Sequence, residues 1–302
     1  MKLRPPREDE VAEIAAILNE ASQAFYGINA ASERVLRTWF TSPVTDVERN
    51  VRVAVGAGAV LGYADVDPRG AAPTRCWIDT ASRRTPAFEA TAAELLGWAE
   101  QRAQEEADPV LRTSAWERDD RLRRVMEERG FTLIRHSYTM ETELGEAAPV
   151  PQLPDGVLVR TRREGDDRDI WSVYDETFAD TWEHVGISFD EWKHWMLEGP
   201  MFDPSLWFLA ITREEIAGIC LCRRSDREPN LGWVQILGVR RLWRRRGLGR
   251  ALLQHAFAEF HARGLRRGGL GVDASSPTGA VRLYESAGMR IVRQRDVYEK
   301  VP

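Results

Sequence analysis

The chain has 302 residues, 43% of them hydrophobic and 29% charged, with a net charge of −5. That composition belongs to a folded protein with room for two ordinary domains, and the acidic balance excludes a nucleic-acid binder that works by overall electrostatics. The five histidines show no metal-ligand spacing. The amino terminus, Met-Lys-Leu-Arg-Pro-Pro-Arg, has no apolar core of a signal peptide, and no apolar run reaches the 18 residues of a membrane span. A cytoplasmic location is expected, with no membrane partner. Cys76, Cys220 and Cys222 are expected to be buried, reduced, structural thiols. Cys220 and Cys222 fall on one strand, and their side chains are read as pointing to opposite faces, which argues against a shared metal.

In chain order, Leu3 and Arg4 open a first strand, and Val11, Ile14 and Leu18 mark a helix behind it. Ala59–Asp65 reads as a strand, and Phe88, Leu95, Leu96 and Trp98 make an amphipathic helix within 81–100. Met126-Glu-Glu-Arg-Gly-Phe ends another helix at Gly130. Gly145 to Gly156, rich in Pro and Gly, reads as a linker. The pattern then repeats. Arg4 pairs with Arg160 and Gly62 with Gly218, each 156 residues apart; Leu95-Leu96 pairs with Leu252-Leu253 at 157; Gly130 pairs with Gly288 at 158. This is a tandem duplication of one unit of about 145 residues, with domains at 1–145 and 157–302 and a linker at 146–156. Each unit alternates strands and helices, which implies α/β or α+β architecture around a mixed sheet.

The second copy carries the most distinctive stretch, Leu237 to Gly249, read Leu-Gly-Val-Arg-Arg-Leu-Trp-Arg-Arg-Arg-Gly-Leu-Gly. An apolar strand precedes it. A helix follows, with Leu252, Leu253, Ala256, Phe257 and Phe260 on one face. A strand, a basic glycine-containing turn and a helix aim backbone N–H groups and the positive end of a helix dipole at one point, which suits phosphate. The spacing is neither the P-loop nor the Rossmann pattern. Downstream come a short strand ending at Val272, a polar loop from Asp273 to Gly279, and a short helix, Ala280-Val-Arg-Leu-Tyr-Glu-Ser-Ala, stopped by Gly288.

Arg244-x-x-Gly247-x-Gly249 resembles the pyrophosphate-binding motif of the GNAT superfamily of N-acetyltransferases, and Ala280, Leu283, Tyr284 and Gly288 match that family's later motif, with Met289 in the place of its Phe and Ser276 in that of its Asn. The resemblance implies tandem GNAT folds, each with two neighbouring parallel strands splayed apart, and acetyl-CoA as donor to the amine of a small molecule. It implies that Arg244, Arg245, Arg246, Gly247, Leu248, Gly249 and Arg250 hold the pyrophosphate, chiefly through amides, with Arg244 and Arg250 adding charge. Leu237, Gly238 and Val239 would pair with the pantetheine arm and offer an amide to the thioester oxygen, Gly238 at a strand bulge, and Ser276 would meet the cofactor arm. Tyr284 is the candidate general acid.

For the base the residues leave alternatives open. The central strand offers Gln235, which is not a base. Asp180, Glu183, His184 and Asp190 fall in the stretch where the family places its acceptor loop, and histidine, here His184, is the residue type suited to proton transfer; they read equally well as surface charges. Trp182, Trp192, Trp195 and Trp207 are either an aromatic acceptor wall or core. In the first copy Arg244, Gly247 and Gly249 fall on Ala87, Ala90 and Ala92, and Tyr284 on Met126. The first domain is therefore expected to be catalytically dead. Rival readings are a non-catalytic acyl-CoA-binding module, acetylation of a protein lysine, and nucleic-acid binding through the Arg240–Arg250 cluster; a monomer and a dimer are both compatible.

Overall fold

The structure, a computed structural model, describes residues 1–42, 45–145, 150–182, 184–199, 201–213 and 215–302. The chain divides into two compact units, one of residues 1–136 with 294–302 and one of residues 137–293.

In the first unit, β1 (Lys2–Arg4) is followed by three helices, α1 (Val11–Tyr26), α2 (Glu33–Phe40) and α3 (Val47–Asn50). Then come β2 (Val51–Gly56), β3 (Ala59–Arg69), β4 (Arg75–Ser82), α4 (Phe88–Ala103), β5 (Val110–Trp116), α5 (Asp120–Glu128) and the start of β6 (Thr132–Glu143). The second unit repeats the order: β7 (Leu158–Thr161), α6 (Asp167–Phe178), α7 (Phe189–Leu197), β8 (Trp207–Ile211), β9 (Ile216–Arg224), β10 (Leu231–Val239), α8 (Leu248–Ala262), β11 (Arg267–Asp273), α9 (Ala280–Ser286) and the start of β12 (Arg290–Lys300).

The compact units are not the two halves of the sequence. Residues 137–143 of β6 pair antiparallel with β11 in the second unit, and residues 295–300 of β12 pair antiparallel with β5 in the first. Each half thus supplies the other unit's last strand, a difference from the expected boundary at 145–156.

Each sheet is mixed, with a single parallel pair at its centre. In the first unit β4 runs parallel to β5 from Arg75↔Val110 to Ile78↔Thr113, and in the second β10 runs parallel to β11 from Leu231↔Arg267 to Val234↔Leu270. Beyond those residues the strands continue without pairing, so both units contain the splayed pair. Helices cover both faces. In the second unit α8 buries Leu248, Leu252, Leu253, Ala256, Phe257 and Phe260 on one face, while α6 and α7 bury Ile170, Val173 and Trp192 on the other. No helix among the described residues is long and apolar enough to cross a membrane.

Cys220 and Cys222 correct one expectation. Alternate residues of a strand share a face, and the two Sγ atoms lie 3.6 Å apart on the α8 side. Both thiols are free and fully buried among apolar side chains, and burial pushes Cys222 well above the usual thiol range, the setting of an inert rather than a reactive cysteine.

The first unit also buries a carboxyl. The Tyr63 hydroxyl donates to Asp65 Oδ2 at 2.6 Å, and Asp65 lies directly across from Asp79 on β4. Burial first, and the neighbouring Asp79 second, hold Asp65 well above the carboxylate range. The native state therefore binds a proton that the unfolded chain releases above about pH 4, so this site's contribution to stability falls as pH rises from there through the raised native value. Asp65→Asn keeps an acceptor for Tyr63 and removes the proton linkage. Its melting temperature at pH 7 should exceed the wild type's by a few degrees, with the difference shrinking below pH 4; equal pH dependence in a thermal scan of the two proteins would refute it.

Candidate active site

β10 ends at Val239, and the chain turns through a short 3-10 segment, Arg241–Trp243, before α8. Arg245 (φ +60°) and Gly247 (φ +82°) are both left-handed. A Cβ on Gly247 would meet nothing within 4 Å, so conformation rather than room asks for glycine there. Gly247 caps α8, whose first hydrogen bond is Ala251 N–H to Gly247 C=O at 3.0 Å. The amides of Leu248, Gly249 and Arg250 lie ahead of that bond in the first turn, where helix N–H groups have no intrahelical partner. They sit at the positive end of a 15-residue helix. A Cβ on Gly249 would stand 3.3 Å from Leu283 Cδ2 and 3.6 Å from Val239 Cγ2, where α8, α9 and the end of β10 converge.

The arginines divide into two groups. Arg244 donates from Nε to the Val239 carbonyl at 3.0 Å, from Nη2 to the Thr177 carbonyl at 3.4 Å and from Nη1 to Asp180 at 3.3 Å. Arg241 pairs with Asp180 at 2.5 Å, and Arg240 with Glu176 and Glu215 at 3.0 and 3.3 Å. These three tie the turn to α6 and β10. Arg246 lies over the Trp243 ring at 5.2 Å, and Arg245, Arg246 and Arg250 are exposed. Through these contacts Arg244, the residue expected to add charge, also braces the turn. Asp180, held below the usual carboxylate range by Arg241 first, is part of that brace.

Where β10 and β11 part, the β11-facing edge of Leu237–Val239 is left unpaired; the other edge pairs with Cys220, Ile219 and Gly218. An unpaired edge offers alternating N–H and C=O groups to an added extended chain. The expected bulge at Gly238 is not there: the irregularity lies between Val234 and Ile236, at the exposed Gln235. Gly238 is small for another reason, since a Cβ would come 2.5 Å from Thr177 Oγ1 on α6.

Tyr284 stands on α9 with only 8% of its surface exposed, in the apolar cluster that holds Cys220, Leu248 and Leu252. Burial, with a smaller push from Cys220, raises its phenol to about 12. The Ser276 hydroxyl lies in an exposed loop, 2.9 Å from the Thr278 hydroxyl. His184 is half-buried; its Nε2 is 3.1 Å from Asp175 Oδ1, and its ring stands edge-on to Tyr174. Glu183 lies outside the described residues. Asp190 is exposed in the first turn of α7. Of the four tryptophans, Trp192 and Trp207 are core, at 1% and 3% exposure, packed with Phe189 and Phe202. Trp195 packs on His194, and Trp182 is half-buried. An aromatic acceptor wall built from all four is therefore ruled out. Sequence reasoning passed over Trp233 on β10, which is half-buried yet belongs to none of the apolar clusters.

The first unit shows what the same framework looks like when filled. The brace repeats: Arg83–Glu20 at 2.9 Å stands where Arg240–Glu176 stands in the second unit. The opening between the splayed strands differs. Arg84, just beyond β4, pairs with Asp119, just beyond β5, at 2.9 Å, so the ion pair crosses between the parting strands. Asp119 is 2% exposed. Arg84 also lies over the rings of Phe25 and Phe88, and Arg121 lies over Phe88 while binding Glu89. α4 begins at Phe88, about a turn earlier than α8 does at the matching place. The counterparts of Arg84 and Asp119 are Arg241, which turns to Asp180, and Ser276.

Comparison with known proteins is consistent with this geometry. Residues 168–289 match the acetyltransferase (GNAT) family model. A mycothiol acetyltransferase of Streptomyces scabiei is 31% identical over 280 residues, 91% of this chain and 86% of that one. Another, from Thermobispora bispora, is 35% identical over 164 residues, 53% of this chain and only 55% of that protein's length. Among solved structures, a GCN5-related N-acetyltransferase from Sphaerobacter thermophilus superposes with a TM-score of 0.81 at 27% identity, covering 99% of this chain and 95% of that one.

Proposed function

The chain belongs to the GNAT family of acetyltransferases, whose members take acetyl-CoA as donor, and from that membership we propose that its second unit acetylates a primary amine of a small molecule while its first unit binds no cofactor. One observation carries the reading. In the second unit free helix-terminal amides, two glycines and an unpaired strand edge converge at the opening between β10 and β11; in the first, the same opening is spanned by Arg84–Asp119.

The residues divide the work as follows. The amides of Arg245 to Gly249 take the pyrophosphate, and the edge of Leu237–Val239 takes the pantetheine arm. An amide at Leu237 or Val239 faces the thioester oxygen and stabilises the charge that develops on it as nitrogen attacks; one such donor is worth about 3–4 kcal/mol in well-studied acyl transfer. Tyr284 faces the departing sulfur. His184, oriented by Asp175, accepts the proton leaving the amine, directly or through water. The curated relatives are named mycothiol acetyltransferases, so that acetyl transfer is the first to assay.

Calorimetric titration of the full chain with acetyl-CoA, followed by release of free thiol on adding amines, tests both halves of the proposal. One site per chain and amine-dependent thiol release are expected. Two sites would show that the Arg84–Asp119 bridge does not close the first unit, and binding without thiol release from any amine would make the protein a non-catalytic acyl-CoA binder.

A further inference from the structure

We propose that Trp233 is the acceptor-recognising residue of this enzyme and that it selects amines carrying a ring well separated from the reacting nitrogen. This rests on the reading above, in which β10 presents the acetyl group near Leu237.

Trp233 lies on the α6/α7 face of β10, in register with Gly269 on the parallel strand β11. A Cβ on Gly269 would come 3.2 Å from Trp233 Cζ3, and one on Gly271 would come 3.9 Å from Cζ2. The six-membered part of the indole therefore packs against the backbone of Gly269 and Gly271, with the side chains of Glu141 and Leu231 beside it at the Gly269 end. The ring is half-buried, Gly271 is exposed, and no apolar cluster of the second unit includes this tryptophan. A half-buried indole that packs on glycine backbone and joins no apolar cluster is a stacking platform.

The platform is connected to the reaction by the strand itself. Leu237 is four residues further along β10, roughly 13 Å at the usual rise per residue. Between them lies the exposed Gln235, whose Nε2 donates to Met196 Sδ on α7 at 3.5 Å. An acceptor whose nitrogen reaches the thioester at Leu237 runs back past Gln235, beside Met196, and brings its far end onto the indole. A short amine stops before the ring. Trp192 and Trp207 are locked in the core and unable to take this part.

The test uses the full chain saturated with CoA and measures, by calorimetry, the binding of alkylamines of increasing length that end in phenyl, in cyclohexyl or in methyl. Once the tether spans about 13 Å, the ring-ended amines should bind about tenfold more tightly than methyl-ended ones; a gain for phenyl alone means an aromatic acceptor, and for both a ring of either kind. Trp233→Ala should erase that gain, Trp233→Phe keep most of it, and Gly271→Leu erase it by crowding the ring without altering Trp233. None of the three should change the Kd for CoA. A gain that survives Trp233→Ala and Gly271→Leu, or no gain at any tether length, overturns the proposal. Loss of CoA binding in the unaltered protein would instead overturn the reading on which it rests.

Discussion

Gly247→Glu/Gly249→Glu should raise the Kd for acetyl-CoA by more than a hundredfold, on the order of 3 kcal/mol or more, without unfolding the protein. At Gly247 the backbone is left-handed and the surroundings are open. Any side chain there costs about 1–2 kcal/mol of conformation, and a glutamate adds a negative charge where the helix terminus is expected to receive a phosphate. At Gly249 the nearest atoms are Leu283 Cδ2 and Val239 Cγ2, so a longer side chain has to leave toward the ligand. Gly247→Ala separates the two causes. It carries the conformational cost but neither charge nor bulk, and its affinity should fall only several-fold. The measurement is calorimetry on both variants, with a thermal melt to show that α8 is intact. An unchanged Kd in the double variant would mean that the turn is only a basic surface loop.

Much of this site was legible in the sequence because it depends on local chemistry. A strand, a glycine turn and a helix in succession specify where free amides point, whatever the rest of the chain does. The duplication was legible for the same reason, and the Arg83–Glu20 and Arg240–Glu176 pairs extend it. What escaped was set by partners distant in sequence. β6 and β12 look like the natural last strands of their own halves; which sheet each completes is a tertiary choice that periodicity does not carry. Gly238 suggested a bulge, but Thr177 on α6 is what excludes a side chain there. Asp180 looked like a free acid near the acceptor until Arg241 and Arg244 claimed it. The error at Cys220 and Cys222 was of another kind: the period of a strand is two, and the residues themselves already placed both thiols on one face. Trp233 had a signal of its own, since Gly269 and Gly271 share one face of the neighbouring strand and leave it without side chains there.

Tyr284→Phe should lower kcat by about a hundredfold or more and leave the Kd for acetyl-CoA within a factor of two. The ring is buried against Cys220, Leu248 and Leu252, and phenylalanine keeps that packing, so the hydroxyl alone is removed. Its phenol, at about 12, stays protonated across the working range and is a donor throughout. It is also well above the ~8.5 of an ordinary thiol, so a proton handed outright to sulfur would run uphill. The hydroxyl acts instead by hydrogen-bonding the sulfur as the C–S bond breaks, and the proton that finally rests on sulfur replaces one lost by the acceptor nitrogen. Because the donor does not titrate near neutrality, the Phe variant should give a pH profile of kcat with the wild-type shape at a lower height. His184→Gln should lower kcat and leave the Kd for acetyl-CoA unchanged if His184 accepts the proton from nitrogen. Unchanged turnover in Tyr284→Phe would take the residue out of the mechanism; a parallel loss of acetyl-CoA affinity would reassign it to holding the cofactor.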